Sequence, residues 1–313
     1  MKYRRLFRLL DKKGLRSLLW YKNRKDTKVI DEARTLPYLR VGVKTVDYRF
    51  TRGSPVEISS YDGVIYIRDS HEPKEWTKNI VSNSINQSPV IILGSKHETK
   101  PLLSSFEVDK KFYIENELIA FLPQQSFSFS LSEHCVEEEI RGVTCVFKTV
   151  KGLFSYTHID DATRFLLETV RLRGDETILD FGCGYGAISC FLSVLYKDVT
   201  VLGVDSNMYA VSYATKNTIL NGVSNNVTVK QSYLLQDISS PVDVVICNPP
   251  THISLDEVRM VFNQMFKMLS PGGSVYMVIN RAVGYESILR DVFGVVECID
   301  TRDSFKILRS HKR

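Results

Sequence analysis

The stretch Ile178-Leu179-Asp180-Phe181-Gly182-Cys183-Gly184-Tyr185-Gly186-Ala187-Ile188-Ser189 decides how this chain folds. An apolar run ends in a carboxylate, passes through three alternating glycines and continues into an apolar segment with helical spacing. This order predicts a buried strand, a tight turn and the N-terminus of a helix. The glycines let the backbone turn sharply and approach a ligand closely, because they carry no Cβ atom. The layout is typical of a parallel sheet that holds a nucleotide-like ligand at the carboxyl ends of its strands.

The glycines alone leave two classes of ligand open. With Ala187 as the last small residue they also satisfy a dinucleotide pattern, and Asp205 follows at roughly the distance expected of a ribose-binding acid. Two features favour S-adenosylmethionine over a nicotinamide. Asp180 precedes the first glycine, where a cationic aminoacyl group would need a negative neighbour, and Asn248-Pro249-Pro250 follows a later apolar strand. We therefore predict S-adenosylmethionine as the cofactor.

Strand and helix patterns alternate along the second half of the chain. Predicted strands at Thr177–Phe181, Val199–Asp205 and Val242–Cys247 are each followed by a turn and then by a helical pattern. Such alternation indicates a mainly parallel sheet that is covered by helices on both faces. Ligands bind such sheets beyond the carboxyl ends of the strands, so the glycine turn, Asp205 and the Asn-Pro-Pro run are expected to meet at one edge.

The run Asn248-Pro249-Pro250 is the candidate for catalysis. An exocyclic amine on a base is a poor nucleophile, because its lone pair is delocalised into the ring. Acceptors for both amine hydrogens would favour a pyramidal nitrogen, and the Asn248 side-chain oxygen and the Pro249 carbonyl are suitable acceptors. The two prolines restrict the direction of these groups, so catalysis would depend on positioning and electrostatics without a strong base. The alternative is a rigid turn after a strand.

We expect the cofactor to contact the ends of several strands. Asp205 can accept hydrogen bonds from both ribose hydroxyls, although it could instead be a helix cap or a turn acid. Asp180 could hold the methionine ammonium, directly or through water, or could only brace the glycine turn. The adenine edge is expected near Ser232 and Tyr233. The complete predicted set of cofactor contacts is Asp180, Gly182, Gly184, Gly186, Asp205, Ser206, Ser232, Tyr233 and Asn248.

Composition narrows the class of protein. The length of 313 residues, of which 43% are hydrophobic, predicts about two domains. The six cysteines include no CxxC pair, which indicates free thiols in a reducing compartment and no metal site. No apolar run reaches the roughly 18 residues that a bilayer span needs, and basic residues interrupt the N-terminus where a signal peptide would be apolar. We expect a cytoplasmic protein with no membrane span.

The first 25 residues are strongly basic. They contain ten lysines and arginines, and Asp11 is their only acid. Interleaved apolar residues from Leu6 to Trp20 make this stretch a candidate amphipathic helix. Three interpretations are open: an arm that binds RNA, a helix that lies on an anionic membrane, or a solvated helix docked on its own domain.

The rest of the first half predicts a small α/β unit. Gly63–Arg68 and Pro89–Gly94 have the pattern of buried strands, and Glu72–Gln87 has the pattern of a helix with a narrow apolar face. This half has no glycine loop and no catalytic constellation. Arg141–Ser155 reads as a strand or hairpin that leads into the second half.

Several stretches of the second half together resemble one known family. They are Gly152-Leu153-Phe154-Ser155, Asp160, the glycine turn, Asn248-Pro249-Pro250 and the tail Asn280-Arg281-Ala282…Tyr285…Phe305-Lys306-Ile307-Leu308. The segment from Arg141 to Arg309 resembles the methyltransferase small-domain family. It is most similar to the bacterial ribosomal RNA guanine-N2 methyltransferases of the small subunit.

The resemblance implies a domain organisation. Residues 141–313 would form a Rossmann-like, seven-stranded class I methyltransferase sheet that depends on S-adenosylmethionine. Residues 51–140 would form a smaller α/β domain before it, of a degenerate methyltransferase-like type, and residues 1–50 a basic N-terminal arm and linker. The implied partner is RNA, as ribosomal RNA or a ribosomal particle, bound through the basic arm and the small domain.

Two positions depart from the family pattern. Relatives usually carry an aromatic residue after Asn-Pro-Pro that stacks on the target base, and this chain has Thr251 followed by His252. Relatives have Asp or Asn for the adenine amino group where this chain has Tyr233. Phe154, Tyr156 or His252 could supply the missing stacking partner. The candidate substrate-binding residues are therefore Phe154, Tyr156, Thr251 and His252.

We predict an S-adenosylmethionine-dependent N-methyltransferase that acts on an exocyclic base amine of RNA. The leading candidate for the target is guanine N2 of ribosomal RNA. The Asn-Pro-Pro run also suits adenine N6 in tRNA or DNA, a protein glutamine amide, or a small-molecule amine. A third class of function is a non-catalytic RNA-binding protein that keeps the fold, because one fold hosts many functions.

Overall fold

A computed structural model gives the fold. It describes residues 2–15, 17–22, 30, 33, 40–45, 62–68, 74–127, 129, 131–232, 234–236, 238–250 and 254–312. The chain divides into two compact units, Met1–Ser132 and Glu133–Arg313. Three predicted ligand contacts, Tyr233, Thr251 and His252, lie outside the described residues.

The first unit contains a six-stranded sheet. Its strands are β1 Ser17–Lys22, β2 Arg40–Thr45, β3 Gly63–Ile67, β4 Val90–Ser95, β5 Lys110–Ile114 and β6 Glu117–Leu122. Its described helices are α1 Arg4–Lys12, α2 Lys74–Ile85 and the single turn α3 Lys96–Thr99, which the 3₁₀ helix Lys100–Ser105 follows. The sheet order is β2-β1-β3-β4-β6-β5. The first four strands are parallel, and β6 is antiparallel to both of its neighbours.

The basic N-terminal segment belongs to the core of the first unit. Helix α1 buries Leu6, Phe7 and Leu10 in a cluster that also contains residues of β3, β4 and β6. Gly14 has a φ of +71° just after the helix, and the chain continues as strand β1. The predicted helix is therefore wrong beyond α1, because backbone pairing in the sheet outweighs the helical spacing of the apolar residues. Of the three interpretations, the structure shows a helix docked on its own unit.

The boundaries predicted at residues 50 and 140 differ from those of the structure. Strands β1 and β2 pair within the sheet of the first unit, so residues 1–50 do not form a separate arm in their described part. The second unit starts at Glu133, because the hairpin that precedes the parallel sheet has its first strand at Glu133–Ile140.

The second unit contains a two-stranded hairpin and a seven-stranded sheet. The hairpin is formed by β7 Glu133–Ile140 and β8 Val143–Val150. The sheet strands are β9 Thr177–Phe181, β10 Thr200–Asp205, β11 Val227–Gln231, β12 Val242–Cys247, β13 Leu269–Asn280, β14 Glu297–Arg302 and β15 Phe305–His311. The helices are α4 Asp161–Thr169, α5 Ala187–Leu195, α6 Met208–Leu220, α7 Leu255–Met268 and α8 Tyr285–Phe293. In the described part of both units, no helix has the length and apolarity to cross a bilayer.

The two sheets share one topology. The second sheet has the order β11-β10-β9-β12-β13-β15-β14, with five parallel strands and with β15 antiparallel to both of its neighbours. When β11 is left out, the remaining six strands repeat the order and directions of the first sheet. The first unit therefore repeats the strand arrangement of the second, without a counterpart of β11 among its described strands.

Helices cover the second sheet and hold the hairpin next to it. Helices α7 and α8 pack on β12 and β13 in one apolar cluster that includes Val245, Phe262 and Leu289. On helix α6, Asn217 and Asn221 hold strand β8 through hydrogen bonds to its backbone, with Asn217 Oδ1 accepting from Lys148 N at 2.8 Å. The hairpin is thereby tied to the sheet domain just before the loop that carries Phe154.

Candidate active site

Three sequence motifs meet at one edge of the second sheet, as predicted. Cys247 pairs with Phe181 across β12 and β9, so Asn248 and Gly182 leave the sheet side by side. Val204 pairs with Phe181 on the other side of β9, which brings Asp205 to the same edge. The carboxyl ends of parallel strands share an edge, and this rule alone explains the convergence.

The glycine turn follows the strand in a conformation that requires glycine. Gly182, Gly184 and Gly186 have φ values of +74°, +56° and +90°. A Cβ atom at Gly184 would meet nothing within 4 Å, and one at Gly182 would meet only the Asn248 carbonyl oxygen at 4.0 Å. Open space therefore lies in front of these two residues. Gly186 differs, because a Cβ atom there would lie 3.2 Å from the Cβ atom of Ala214 on helix α6.

Asp180 braces the turn from inside the protein. Its Oδ2 atom accepts hydrogen bonds from the backbone N–H of Ser189 at 3.0 Å and from the Ser189 hydroxyl at 2.6 Å. The side chain is fully buried, and Oδ1 has no hydrogen-bond partner among the described residues. Burial raises the pKa of Asp180 to about 7, although the hydrogen bonds from Ser189 oppose this rise. The geometry matches the bracing role that the sequence left open, because the carboxylate holds the start of helix α5 behind the glycine turn.

Asp205 lies at the end of β10 and remains partly exposed. Its Oδ2 atom accepts from the N–H of Gly184 at 2.9 Å, and its Oδ1 atom accepts from the N–H of Asn207 at 2.8 Å. Burial raises the pKa of Asp205, and these backbone hydrogen bonds act in the opposite direction. Each carboxylate oxygen can accept a second hydrogen bond. The carboxylate therefore shapes the glycine turn and can also accept hydrogen bonds from a ligand.

The residues next to Asp205 and after β11 complete this edge. Ser206 is partly exposed, and its carbonyl oxygen accepts a hydrogen bond from Gln231 Nε2 at 3.0 Å. Ser232 donates its N–H to the Asp205 carbonyl oxygen, and its buried Oγ atom makes no hydrogen bond within the described part of the chain. The hydrogen-bonding capacity of this hydroxyl is therefore unused among the described residues.

Asn248 points its side chain across the edge toward helix α4. Its Nδ2 atom donates to Asp160 Oδ2 at 2.9 Å and to Thr163 Oγ1 at 3.0 Å. Asp160 is also the N-cap of α4, because the same Oδ2 atom accepts from the N–H of Thr163 at 3.1 Å. The N-cap role of Asp160 marks the start of helix α4, but the sequence does not show that this helix start lies against Asn248.

A cavity of about 180 Å³ opens beside Asn248. It is lined by Phe154, Asp160, Ala162, Asn248, Pro249, Val278, Ile279, Asn280, Val283, Tyr285 and Phe305. The polar groups are few and converge on an otherwise apolar and aromatic wall, as is usual for small-ligand sites. The tail residues Asn280, Tyr285 and Phe305 belong to this wall, and their positions in the sequence predict no role for them. Their only signal in the sequence is that the family resemblance extends over them.

Aromatic residues flank the Asn-Pro-Pro run. The Tyr285 hydroxyl donates to the Pro250 carbonyl oxygen at 2.9 Å, which holds the second proline in place. Phe154 lines the cavity and is 65% exposed, so a face of its ring is available to a flat ligand. Tyr156 instead packs edge-on against His134, with ring centroids 5.0 Å apart. Of the two described aromatic candidates, Phe154 is therefore the one that faces the cavity.

Sheet order, glycine turn and acidic strand end together define the class I methyltransferase fold. Comparison with known proteins supports this class. The model of the family described as "Methyltransferase small domain" matches residues 144–309, which is more than half of the chain. The chain belongs to this family.

Two curated relatives carry the same name, ribosomal RNA small subunit methyltransferase C. The protein of Hahella chejuensis is 31% identical over 163 residues, which are 51% of this chain and 47% of that protein. The protein of Salmonella paratyphi A is 27% identical over 270 residues, which are 81% of this chain and 77% of that protein.

A solved structure shares the fold over both units. It is the T. thermophilus 16S rRNA N2 G1207 methyltransferase in complex with AdoMet and guanosine. The match has a TM-score of 0.73, covers 95% of this chain and 88% of that chain, and has 18% sequence identity.

Proposed function

We propose that this protein transfers a methyl group from S-adenosylmethionine to an exocyclic base amine of RNA, with guanine N2 of small-subunit ribosomal RNA as the target. The observation that carries the proposal is the position of Asn248 and Pro249. Both line a cavity with an exposed aromatic ring, and both lie at the sheet edge that carries the glycine turn and Asp205. The names of the two curated relatives support the choice of ribosomal RNA.

The residues of the edge fit S-adenosylmethionine. The open space before Gly182 and Gly184 would admit the ligand, Asp205 keeps acceptor capacity for ribose hydroxyls, and Ser232 holds an unpartnered hydroxyl. Asp180 would act indirectly, by holding the helix start behind the turn. When bound, the cofactor supplies an electrophilic methyl group on a sulfonium centre.

The chemistry of the chain's own residues is positioning. The Asn248 amide oxygen and the Pro249 carbonyl would accept the two amine hydrogens, which favours a pyramidal nitrogen with a directed lone pair. The ring of Phe154 would stack on the base in place of the aromatic residue that relatives carry after Asn-Pro-Pro. No strong base is needed, because the amine can release its proton after the transfer.

Helix α1 offers a surface for the RNA backbone. Its apolar side is buried in the first unit, and its opposite side exposes Arg4, Arg5, Arg8 and Lys12. These four cations make no ion pair within the described residues, whereas Lys2 and Lys13 pair with acids of the first unit. Arg4, Arg8 and Lys12 are spaced four residues apart and so form one stripe, which suits contact with successive phosphates.

The experiment that tests the proposal is transfer of a labelled methyl group. Wild-type protein and the Asn248→Ala variant are incubated with labelled S-adenosylmethionine and with ribosomal RNA, small subunits, tRNA, DNA or total protein. We expect label on guanine N2 of small-subunit RNA, with loss of labelling but not of folding in the variant. The control variant is Asn263→Ala, which changes an exposed amide on helix α7 away from the cavity.

The other outcomes would reject the target, the mechanism or the enzyme class. Label in tRNA, DNA or protein instead would keep the enzyme class and reject the ribosomal RNA target. Full labelling by Asn248→Ala would reject the proposed mechanism. A folded protein that binds no S-adenosylmethionine in calorimetry would instead favour a non-catalytic RNA-binding role.

A further inference from the structure

The orientation of the Asn248 carboxamide is determined by its neighbours. Its Nδ2 atom lies 2.9 Å from Asp160 Oδ2. A carboxylate has no hydrogen to donate, so the atom of the amide that faces it must be the nitrogen. The amide oxygen is therefore turned away from Asp160.

Both hydrogens of the Asn248 amide nitrogen are used. One is donated to Asp160 Oδ2 and the other to Thr163 Oγ1 at 3.0 Å. The Thr163 hydroxyl donates its single hydrogen to Asp160 Oδ2 at 3.4 Å. Its oxygen lone pairs therefore remain available to accept the hydrogen bond from Asn248. With the nitrogen saturated, the group that Asn248 can offer to a ligand is its oxygen, which is only an acceptor.

We propose that Asp160 and Thr163 are positioning residues that lock the Asn248 carboxamide with its oxygen toward the substrate amine. This inference rests on the proposed function, because only an amine substrate needs an acceptor at that place. A flipped amide would direct N–H groups at the amine hydrogens and its oxygen at a carboxylate. The lock removes this unproductive orientation before the substrate binds, and it selects a donor over an acceptor on the base.

The same carboxylate joins two elements that carry the site. Asp160 Oδ2 caps helix α4 through the N–H of Thr163, and it also binds the residue that follows strand β12. Ala162 in the first turn of α4 lines the cavity as well. The lock therefore fixes the amide relative to the cavity wall and not only relative to its own strand.

Three variants of the full chain test the lock through methyl-transfer kinetics. In Asp160→Ala we expect kcat to fall by about 10²-fold with little change of the KM for RNA, because the acceptor is misoriented while the binding surface remains. In Thr163→Val we expect a smaller fall in kcat. Asp160→Asn should keep most activity, because an amide oxygen at this position can still accept from both Asn248 and the Thr163 N–H.

A spectroscopic measurement tests the hydrogen bonds of the Asn248 side-chain amide without relying on activity. The side-chain amide signals of Asn248 are assigned by their loss in Asn248→Ala, and their hydrogen exchange is then measured by nuclear magnetic resonance. We expect slow exchange in the wild type and faster exchange with shifted signals in Asp160→Ala. Ser254→Ala is the matched control, because it removes the N-cap of helix α7, and it should leave the Asn248 signals and the activity unchanged.

The outcomes separate the lock from the proposed function. If Asn248→Ala abolishes transfer while Asp160→Ala and Thr163→Val keep full kcat, the lock is rejected and the function stands. If Asp160→Asn is as inactive as Asp160→Ala, Asp160 acts by its charge and the lock is also rejected. If the wild type methylates no RNA, the proposed function fails, and fast exchange of the Asn248 amide in the wild type would reject the lock as well.

Discussion

Gly186 lies so close to Ala214 that a Cβ atom on Gly186 would be 3.2 Å from the Cβ atom and 3.3 Å from the Cα atom of Ala214. The glycine turn is thus packed against helix α6, while its first two glycines face open space. The third glycine serves the contact between helices α5 and α6, and the first two leave room at the ligand edge. The same sequence motif therefore has a packing part and a binding part.

Gly186→Ala is expected to destabilise the second unit. A φ of +90° costs a residue with a Cβ atom about 1–2 kcal/mol, and the close contact with Ala214 adds roughly 1–3 kcal/mol. The measurement is the free energy of unfolding in urea. Gly222→Ala is the matched control, because its φ is +68° and a Cβ atom there meets nothing within 4 Å. Equal losses in the two variants would contradict the role of the contact.

The buried carboxyl of Asp180 predicts a pH dependence of stability. Its pKa rises from 3.8 to about 7 on folding because of burial, so the folded state binds more protons than the unfolded state between these values. The protonated carboxyl therefore makes its full contribution to the free energy of unfolding below about pH 4. This contribution is lost as the pH rises to about 7, and the total loss is roughly 4 kcal/mol at most. Asp180→Asn should remove this trend, since an amide does not titrate in this range.

The measurement for Asp180 is the unfolding free energy of the wild type and of Asp180→Asn between pH 4 and pH 8. We expect the wild type to lose stability relative to the variant as the pH rises. The Asn side chain can still accept from Ser189, so the variant should fold. A constant difference across this range would show that the carboxyl does not titrate there.

The sequence predicted the active edge better than the first unit, for a physical reason. Asp205 ends one strand of the parallel sheet and Asn248 follows another, and the common edge of such strands is a rule of topology that needs no side-chain detail. The contact between Asn248 and Asp160 depends on tertiary packing across 88 positions of sequence. A capping pattern shows where a helix starts, but not which amide lies against the cap.

The N-terminal segment shows the limit of periodicity. Leu18 continues the apolar spacing of helix α1, yet it lies in strand β1 between two parallel neighbours. Gly14, with its positive φ, separates the two elements. A single glycine was a weaker signal than the run of leucines, so the pattern favoured a longer helix. A docked helix was one of three interpretations of the basic segment, and the buried apolar side of α1 explains why the described part of the segment belongs to the unit.

Leu10→Ala tests whether α1 is part of the first unit. Leu10 is 1% exposed in the core of that unit, so its truncation should cost about 2–5 kcal/mol of unfolding free energy. Arg8→Ala changes an exposed residue of the same helix and should stay within about 0.5 kcal/mol of the wild type. Unfolding of the full chain in urea measures both. A neutral Leu10→Ala would mean that the segment is an undocked arm.

The exposed side of α1 predicts a salt-dependent contribution to RNA binding. Each phosphate contact by a cation releases counterions, so replacing Arg4, Arg8 and Lys12 together by Ala should reduce the slope of log K against log salt by about 2 to 3. Fluorescence anisotropy with a ribosomal RNA fragment at several salt concentrations gives this slope. The control replaces Lys2 and Lys13 by Ala, since both already pair with acids of the first unit and have fewer counterions to release. An unchanged slope in the triple variant would assign the RNA contact to another surface, because cations that touch phosphates cannot be removed without lowering the salt dependence.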